Sequence, residues 1–123
     1  MFKIKIISYF SGAHSLRNYK GKCESLHGHN WKVETVVKSN KLDKAGMVMD
    51  FSHLKEITND ILNKLDHQYL NELDYFKSHN PSSEELARYI FERLKEPVAQ
   101  KGCVLEEVSV WETESSCATY CNG

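Results

Sequence analysis

A chain of 123 residues, 41% hydrophobic and 27% charged, has the size of one domain and no compositional mark of disorder. Sixteen basic against seventeen acidic side chains give a formal net charge of −1, which removes the basic surface that non-specific nucleic-acid binding requires. No stretch is apolar and long enough to span a membrane, so neither nucleic acid nor membrane is expected as a partner.

The start, MFKIKIISYF, interleaves Lys with Ile and reads as a strand, not as an export signal. A protein that stays in the cytoplasm, as expected here, keeps its thiols reduced. Cys23, Cys103, Cys117 and Cys121 are therefore expected as core residues, ligands or nucleophiles, with Cys117 and Cys121 packed on one strand face. Along residues 2–10, Phe2, Ile4 and Ile6 share one face and Lys3 and Lys5 the other. A long polar connection follows, SGAHSLRNYKGKCESLHGHN, and loops of that length are often functional. The second strand is WKVETVVK, with Trp31, Val33, Thr35 and Val37 on one face. SNKLDKAG reads as a turn region and MVMDF as a short extended piece.

Two helices come next. In SHLKEITNDILNKL the residues Leu54, Ile57, Ile61, Leu62 and Leu65 form an apolar stripe, and Ser52 is the expected N-cap. In NPSSEELARYIFERLKEP, Ser82 and Glu85 fit a capping box, Glu84 and Arg88 are spaced to pair, and Pro97 marks the end. LEEVSVWET and CATYC read as two final strands. The order β-β-α-α-β-β predicts a single α+β domain over residues 1–123, a four-stranded antiparallel sheet with both helices on one face. Such a small open sheet has two exposed edges, which a partner subunit would cover.

The chemistry concentrates in CESLHGHN. His27 and His29 are two apart, so in an extended backbone they point the same way, sharing parity with Trp31 and Val33. Gly28 between them allows a bend or a close backbone approach. A hairpin-like pairing of the first two strands brings His14 near, and three imidazoles suit zinc. Cys23 has two readings: a fourth ligand that closes a structural site, or a free thiolate beside the metal that acts as base or nucleophile. In LDHQYLN, Asp66 is placed to orient His67, although adjacency in sequence does not require contact. In VSVWET, Glu112 shares parity with Val108 and Val110; it either sits in water at a frayed strand end or receives a ligand with paired N–H donors. His53 and His79 are expected at the surface.

The motifs SGAHSL, CESLHGHN, GMVMDF, LDHQYLN, NPSSEELA and VSVWET occur in an order that resembles the 6-pyruvoyl-tetrahydropterin synthase family, closest to its 6-carboxytetrahydropterin synthases of queuosine biosynthesis. The resemblance implies the tunnelling fold, assembled as a homohexamer from two trimers. It implies zinc held by His14, His27 and His29, with Cys23 as catalytic base, Asp66 and His67 as a proton relay, and Glu112 as the anchor of the pterin ring. The substrate implied is 7,8-dihydroneopterin triphosphate and the product 6-carboxy-5,6,7,8-tetrahydropterin, with 6-pyruvoyl-tetrahydropterin synthesis as the alternative. Glu24 departs from that pattern. With it the sequence carries both C-x-x-x-H-G-H and E-x-x-H-G-H, and the second pattern resembles members that form 6-hydroxymethyl-7,8-dihydropterin, a folate precursor. Glu24 is thus either a second catalytic residue or a solvated loop residue. From other classes, a non-catalytic zinc-stabilised module and a zinc hydrolase remain as competing readings.

Overall fold

A computed structural model describes residues 1–22 and 24–123. Cys23 lies outside the described residues. The first two strands, β1 (Phe2–His14) and β2 (His27–Ser39), pair antiparallel along their whole length, from Phe2 opposite Ser39 to His14 opposite His27. Both run further into the polar connection than hydropathy alone suggests, because polar and glycine residues such as Ser11, Gly12, Asn30 and Gly28 complete the ladder. Two further strands, β4 (Val104–Thr113) and β5 (Ser116–Cys121), follow antiparallel on the far side of β2.

The expected four-stranded antiparallel sheet gains a fifth member. A two-residue strand, β3 (Gln68–Tyr69), pairs parallel with Gly12 and Ala13 of β1, so the sheet is mixed, in the order β3-β1-β2-β4-β5. A segment this short carries no period to read.

Helix α1 (Phe51–Leu62) is capped by Asp50, whose side-chain carboxylate accepts from the Ser52 N–H at 2.8 Å. The cap is therefore Asp50 and not Ser52, and MVMDF forms no strand: it turns directly into the helix. After α1 come a single 3-10 turn (Leu70–Glu72) and a short helix α2 (Asp74–Ser78), neither of which has enough length to show an apolar stripe. Helix α3 (Ser83–Ala99) starts at Ser82, whose Oγ accepts from the Glu85 N–H at 3.2 Å. The box is only half formed, since the Glu85 carboxylate lies toward Arg88 (3.2 Å) and the Tyr75 hydroxyl (3.4 Å). Arg88 thus pairs with Glu85, not with Glu84. Pro97 sits inside the last turn, and the helix runs two residues past it.

Helices α1 and α3 pack on one another and on one face of the sheet, α1 over β1 and α3 over β4 and β5. That face supplies Phe10, Trp31, Val33, Val37, Val108 and Val110 to a core completed by Leu54, Leu86, Ile90, Phe91 and Leu94. The opposite face is a lattice of ion pairs, Lys3–Glu106 at 2.9 Å, Lys5–Glu34 at 3.2 Å and Lys32–Glu34 at 3.4 Å. Each such half-exposed pair contributes little, roughly 0–1 kcal/mol, but the row keeps an uncovered sheet face wettable. Cys103 is buried with its thiol directed at the Val48 carbonyl, and burial pushes its pKa up. Cys117 and Cys121 are exposed on β5, contrary to the expected packing, because their face of that edge strand meets no second layer.

Two bulges re-aim β4. Val36 opposes Glu107 while Val37 opposes Leu105, leaving Glu106 as an extra residue; Trp111 opposes Cys117 while Thr113 opposes Ser116, leaving Glu112 extra. The first explains how Leu105 and Val108 are both buried despite unlike parity. The second leaves Glu112 without a partner on β5, at the end of the face that carries Val108 and Val110.

Leu94 is fully buried between α3 and the sheet. Leu94→Ala is expected to lower unfolding free energy by about 2–5 kcal/mol in a denaturant titration. A loss well under about 1 kcal/mol would mean that α3 does not seat on the sheet as described.

Candidate active site

His14, His27, His29 and Glu112 converge at the end of the covered sheet face, with one donor atom from each lying within 4.8 Å of all the others. Strand pairing builds this cluster: His14 stands opposite His27, and His29 follows two residues along on the same face. Trp31 forms the floor. Its ring is edge-on to His14 at 5.0 Å and to His29 at 5.1 Å, and its indole N–H donates to the Gly12 carbonyl at 3.2 Å.

Hydrogen bonds orient two of the imidazoles. His14 Nδ1 lies 2.7 Å from the Pro81 carbonyl and His27 Nδ1 lies 2.8 Å from the Ser25 carbonyl. A carbonyl oxygen only accepts, so each Nδ1 carries a proton and each ring turns its Nε2 toward the cluster. Those two Nε2 atoms face each other at 3.0 Å, close enough to share a proton in a hydrogen bond or to be bridged by a cation. His29 Nε2 is buried and has no hydrogen bond among the described residues, although Glu112 Oε1 lies 3.1 Å away. Burial holds the His29 pKa below its ordinary value, and the neighbouring His14 and His27 add to the depression against the opposing pull of Glu112. The neutral form, the one able to ligate, is thereby favoured. This donor set fits a metal that prefers nitrogen ligands, since tetrahedral zinc spaces imidazole nitrogens by roughly 3.3 Å.

Glu24 joins this group. Its Oε1 is 3.7 Å from His27 Nε2, and its backbone is tied to Leu16. Gly28 has an ordinary backbone, and a Cβ there would meet only the Gly12 carbonyl at 3.9 Å, so neither the bend nor the close approach expected of it is required.

Asp66 and His67 do touch, with His67 Nδ1 3.0 Å from Asp66 Oδ2, but they stand apart from the four-residue cluster. The Ser11 backbone pins them to the outer edge of β1. Its N–H donates to Asp66 Oδ1 at 2.9 Å, and its carbonyl accepts from the His67 N–H at 2.6 Å. His67 holds a left-handed backbone, φ 58°, which is costly for a side chain of its kind and is sustained by these bonds. Its ring is 81% exposed. It lines a cleft of about 470 Å³ at the β1 edge with Ser11, Gly12, Ala13, Asn30 and Tyr69. His29 of the cluster lines the same cleft.

Of the remaining histidines, His79 is not a free surface group: it stacks on Tyr75 with ring centroids 4.1 Å apart and 7° between planes. The residues that the sequence left unnoticed are those acting through their backbones, Ser11, Ser25 and Pro81, because a carbonyl has no signature in the residue type that carries it.

Residues 3–122 match the 6-pyruvoyl tetrahydropterin synthase family. The chain belongs to that family. It is 40% identical over 116 residues to 6-carboxy-5,6,7,8-tetrahydropterin synthase of Synechocystis, covering 90% of this chain and 86% of that one. It is 34% identical over 143 aligned positions to the Haemophilus influenzae protein of the same name, covering 98% and 99%. The solved 6-pyruvoyl tetrahydropterin synthase of Caenorhabditis elegans superposes with a TM-score of 0.84 at 28% identity, over 99% of this chain and 96% of that one. The fold is thus that of the tetrahydropterin synthases, and the protein is an enzyme of this lyase-type family acting on pterins. No helix among the described residues is long and apolar enough to cross a membrane.

The Ser11 N–H, and after it the His67 imidazole, hold the Asp66 carboxyl below its ordinary pKa. A carboxylate depressed in the folded state contributes stability that is complete above its unfolded pKa of about 3.9 and is lost as pH falls through the lower folded value. The Asp66 carboxyl carbon is expected to titrate by NMR with a midpoint below about 3.9, and Asp66→Asn to remove its share of the acid-sensitive limb. A midpoint at or above that value would show that the Ser11 clamp is not held in solution.

Proposed function

We propose that the protein is a zinc-dependent lyase that converts 7,8-dihydroneopterin triphosphate and one water to 6-carboxy-5,6,7,8-tetrahydropterin, with loss of triphosphate and acetaldehyde. The observation that carries this reading is the convergence of His14, His27 and His29 with Glu112, one ligand atom from each within 4.8 Å of all the others. Three imidazoles would hold the ion, and bound zinc would supply Lewis-acid polarisation of the substrate side-chain oxygens. Cys23 acts as the base that removes a carbon-bound proton, and His67, oriented by Asp66, returns or accepts protons on the opposite side of the substrate. Glu112 anchors the pterin through paired acceptor oxygens, a role supported by its Oε1 lying 3.1 Å from His29 Nε2 and 3.3 Å from His14 Nε2 while its side chain stays partly exposed. Glu24 serves a second branch that yields 6-hydroxymethyl-7,8-dihydropterin.

A closed, purely structural metal site with Glu112 as fourth donor is the second reading, favoured by the 3.1 and 3.3 Å approaches of its carboxylate to His29 and His14. Against it, the side chains of His27 and Glu112 are each about a third exposed, so the cluster stays open on one side, as a catalytic site requires.

Incubation with 7,8-dihydroneopterin triphosphate and mass spectrometry of the products tests the activity. Wild type is expected to carry one zinc per protomer and to form the carboxy product. His27→Ala and His29→Ala should lose the metal. Cys23→Ala should keep it and fall by about 10²-fold or more in that product, while Glu24→Ala depletes the hydroxymethyl product. Wild-type zinc in the histidine variants, or no pterin product from the wild type, would overturn the assignment.

The assembly proposed is a homohexamer of two trimers. What supports it is the pair of sheet edges: β3 covers β1 only at Gly12 and Ala13, and β5 has no outer neighbour among the described residues. The exposed Asp66–His67 pair on the β1 edge would then serve the cluster of an adjoining copy. Light scattering at micromolar concentration should give a hexamer; the mass of a single 14.2 kDa protomer would refute it.

A further inference from the structure

The connection from β1 to β2 leaves the sheet at Ser15 and carries Glu24 back toward the cluster. It contains one isolated bridge, between Tyr19 and Lys22, and left-handed backbones at Asn18 (φ 59°) and Lys20 (φ 52°). Little among its described residues fixes its course from within, yet its first residues are gripped from outside. Asn71 Oδ1 accepts from the Ser15 N–H at 2.9 Å while its Nδ2 donates to the Ser15 carbonyl at 2.7 Å. Asn80 repeats the grip on Arg17, accepting from its N–H at 2.8 Å and donating to its carbonyl at 2.7 Å. Each side-chain amide satisfies both backbone groups of one residue, as a neighbouring strand would.

Leu16 lies between the two gripped residues. Its carbonyl accepts from the Glu24 N–H at 2.8 Å, and its N–H donates to Glu24 Oε1 at 3.3 Å. That same oxygen is the one 3.7 Å from His27 Nε2. A short run of hydrogen bonds therefore leads from the two asparagines through Ser15, Leu16 and Arg17 to the carboxylate beside the cluster. The Arg17 guanidinium adds bonds to the carbonyls of Phe76 and His79, which fix the segment bearing Asn80.

We infer that Asn71 and Asn80 are positioning residues, which hold Leu16 from both sides so that Glu24 meets the cluster in one orientation. The inference rests on the reading of Glu24 as a reacting group. An amide of this length offers a donor and an acceptor to one backbone residue; Asp keeps the acceptor and loses the donor, and Ala loses both. Because both asparagines belong to the segment between α1 and α3, the Glu24-bearing connection is referenced to the helical layer and not to its own sequence.

Hydrogen exchange of the Glu24 amide, read by NMR on the full-length protein, tests this without turnover. In Asn71→Ala and in Asn71→Asp, exchange at Glu24 is expected to quicken about tenfold, while Ile90 in α3 and the zinc content stay as in wild type. Unchanged exchange at Glu24 in both variants, or equal quickening at Ile90, would overturn the role. Turnover supplies a second arm. Asn71→Ala should lower kcat for the Glu24-dependent product about tenfold with KM unchanged, and should alter residual turnover less than about twofold in a Glu24→Ala background. An equal loss in both backgrounds would show a merely structural contribution. If no pterin turns over at all, the functional reading fails while the exchange arm still decides whether the asparagines hold Glu24.

Discussion

The organising constraint is the direction of two ring protons. His14 and His27 give theirs to backbone carbonyls, Pro81 and Ser25, and so turn their Nε2 atoms toward each other at 3.0 Å. Neither ring can rotate away without abandoning a hydrogen bond, and His14 is almost wholly buried besides. The surrounding structure thereby holds the ring nitrogens convergent, as a cation site requires.

Three parts of the fold do that. The β1–β2 ladder puts the rings on one face, and Trp31 packs edge-on beneath them. The turn before α3 supplies the Pro81 carbonyl, so the capped start of that helix also sets a histidine tautomer. Glu112, on the face of β4 that carries Val108 and Val110, reaches the same point, with its Oε1 3.3 Å from His14 Nε2 and 3.1 Å from His29 Nε2. A carboxylate there joins the donor atoms that a cation would gather.

The Asp66–His67 pair, outside the four-residue cluster, is held by different means. Its geometry comes from one backbone residue, Ser11, which bonds to both members, and from a left-handed turn at His67. Rigid placement on an open sheet edge, combined with high exposure, is what a group needs if it is to act across a subunit boundary.

Much of this was legible in the sequence. Parity alone put His27, His29 and Trp31 toward one face of β2, and Glu112 toward the buried face of β4, since side chains of a strand alternate whatever else it touches. The stripes of α1 and α3 and the cap at Ser82 follow from local periodicity and local hydrogen bonding in the same way. What local rules could not supply was every feature that depends on a distant partner. The short β3 exists because Gly12 and Ala13, 56 residues earlier, offer it a ladder. The exposure of Cys117 and Cys121 follows from a sheet face with no second layer. The motifs containing Asn71 and Asn80 were visible as motifs, but their partners Ser15 and Arg17 lie 56 and 63 residues away. Residue type and spacing thus determined which titratable side chains share a strand face. The tertiary structure alone decided what each is bonded to, because hydrogen bonds across the fold are set by proximity in space, and a single sequence records only proximity along the backbone.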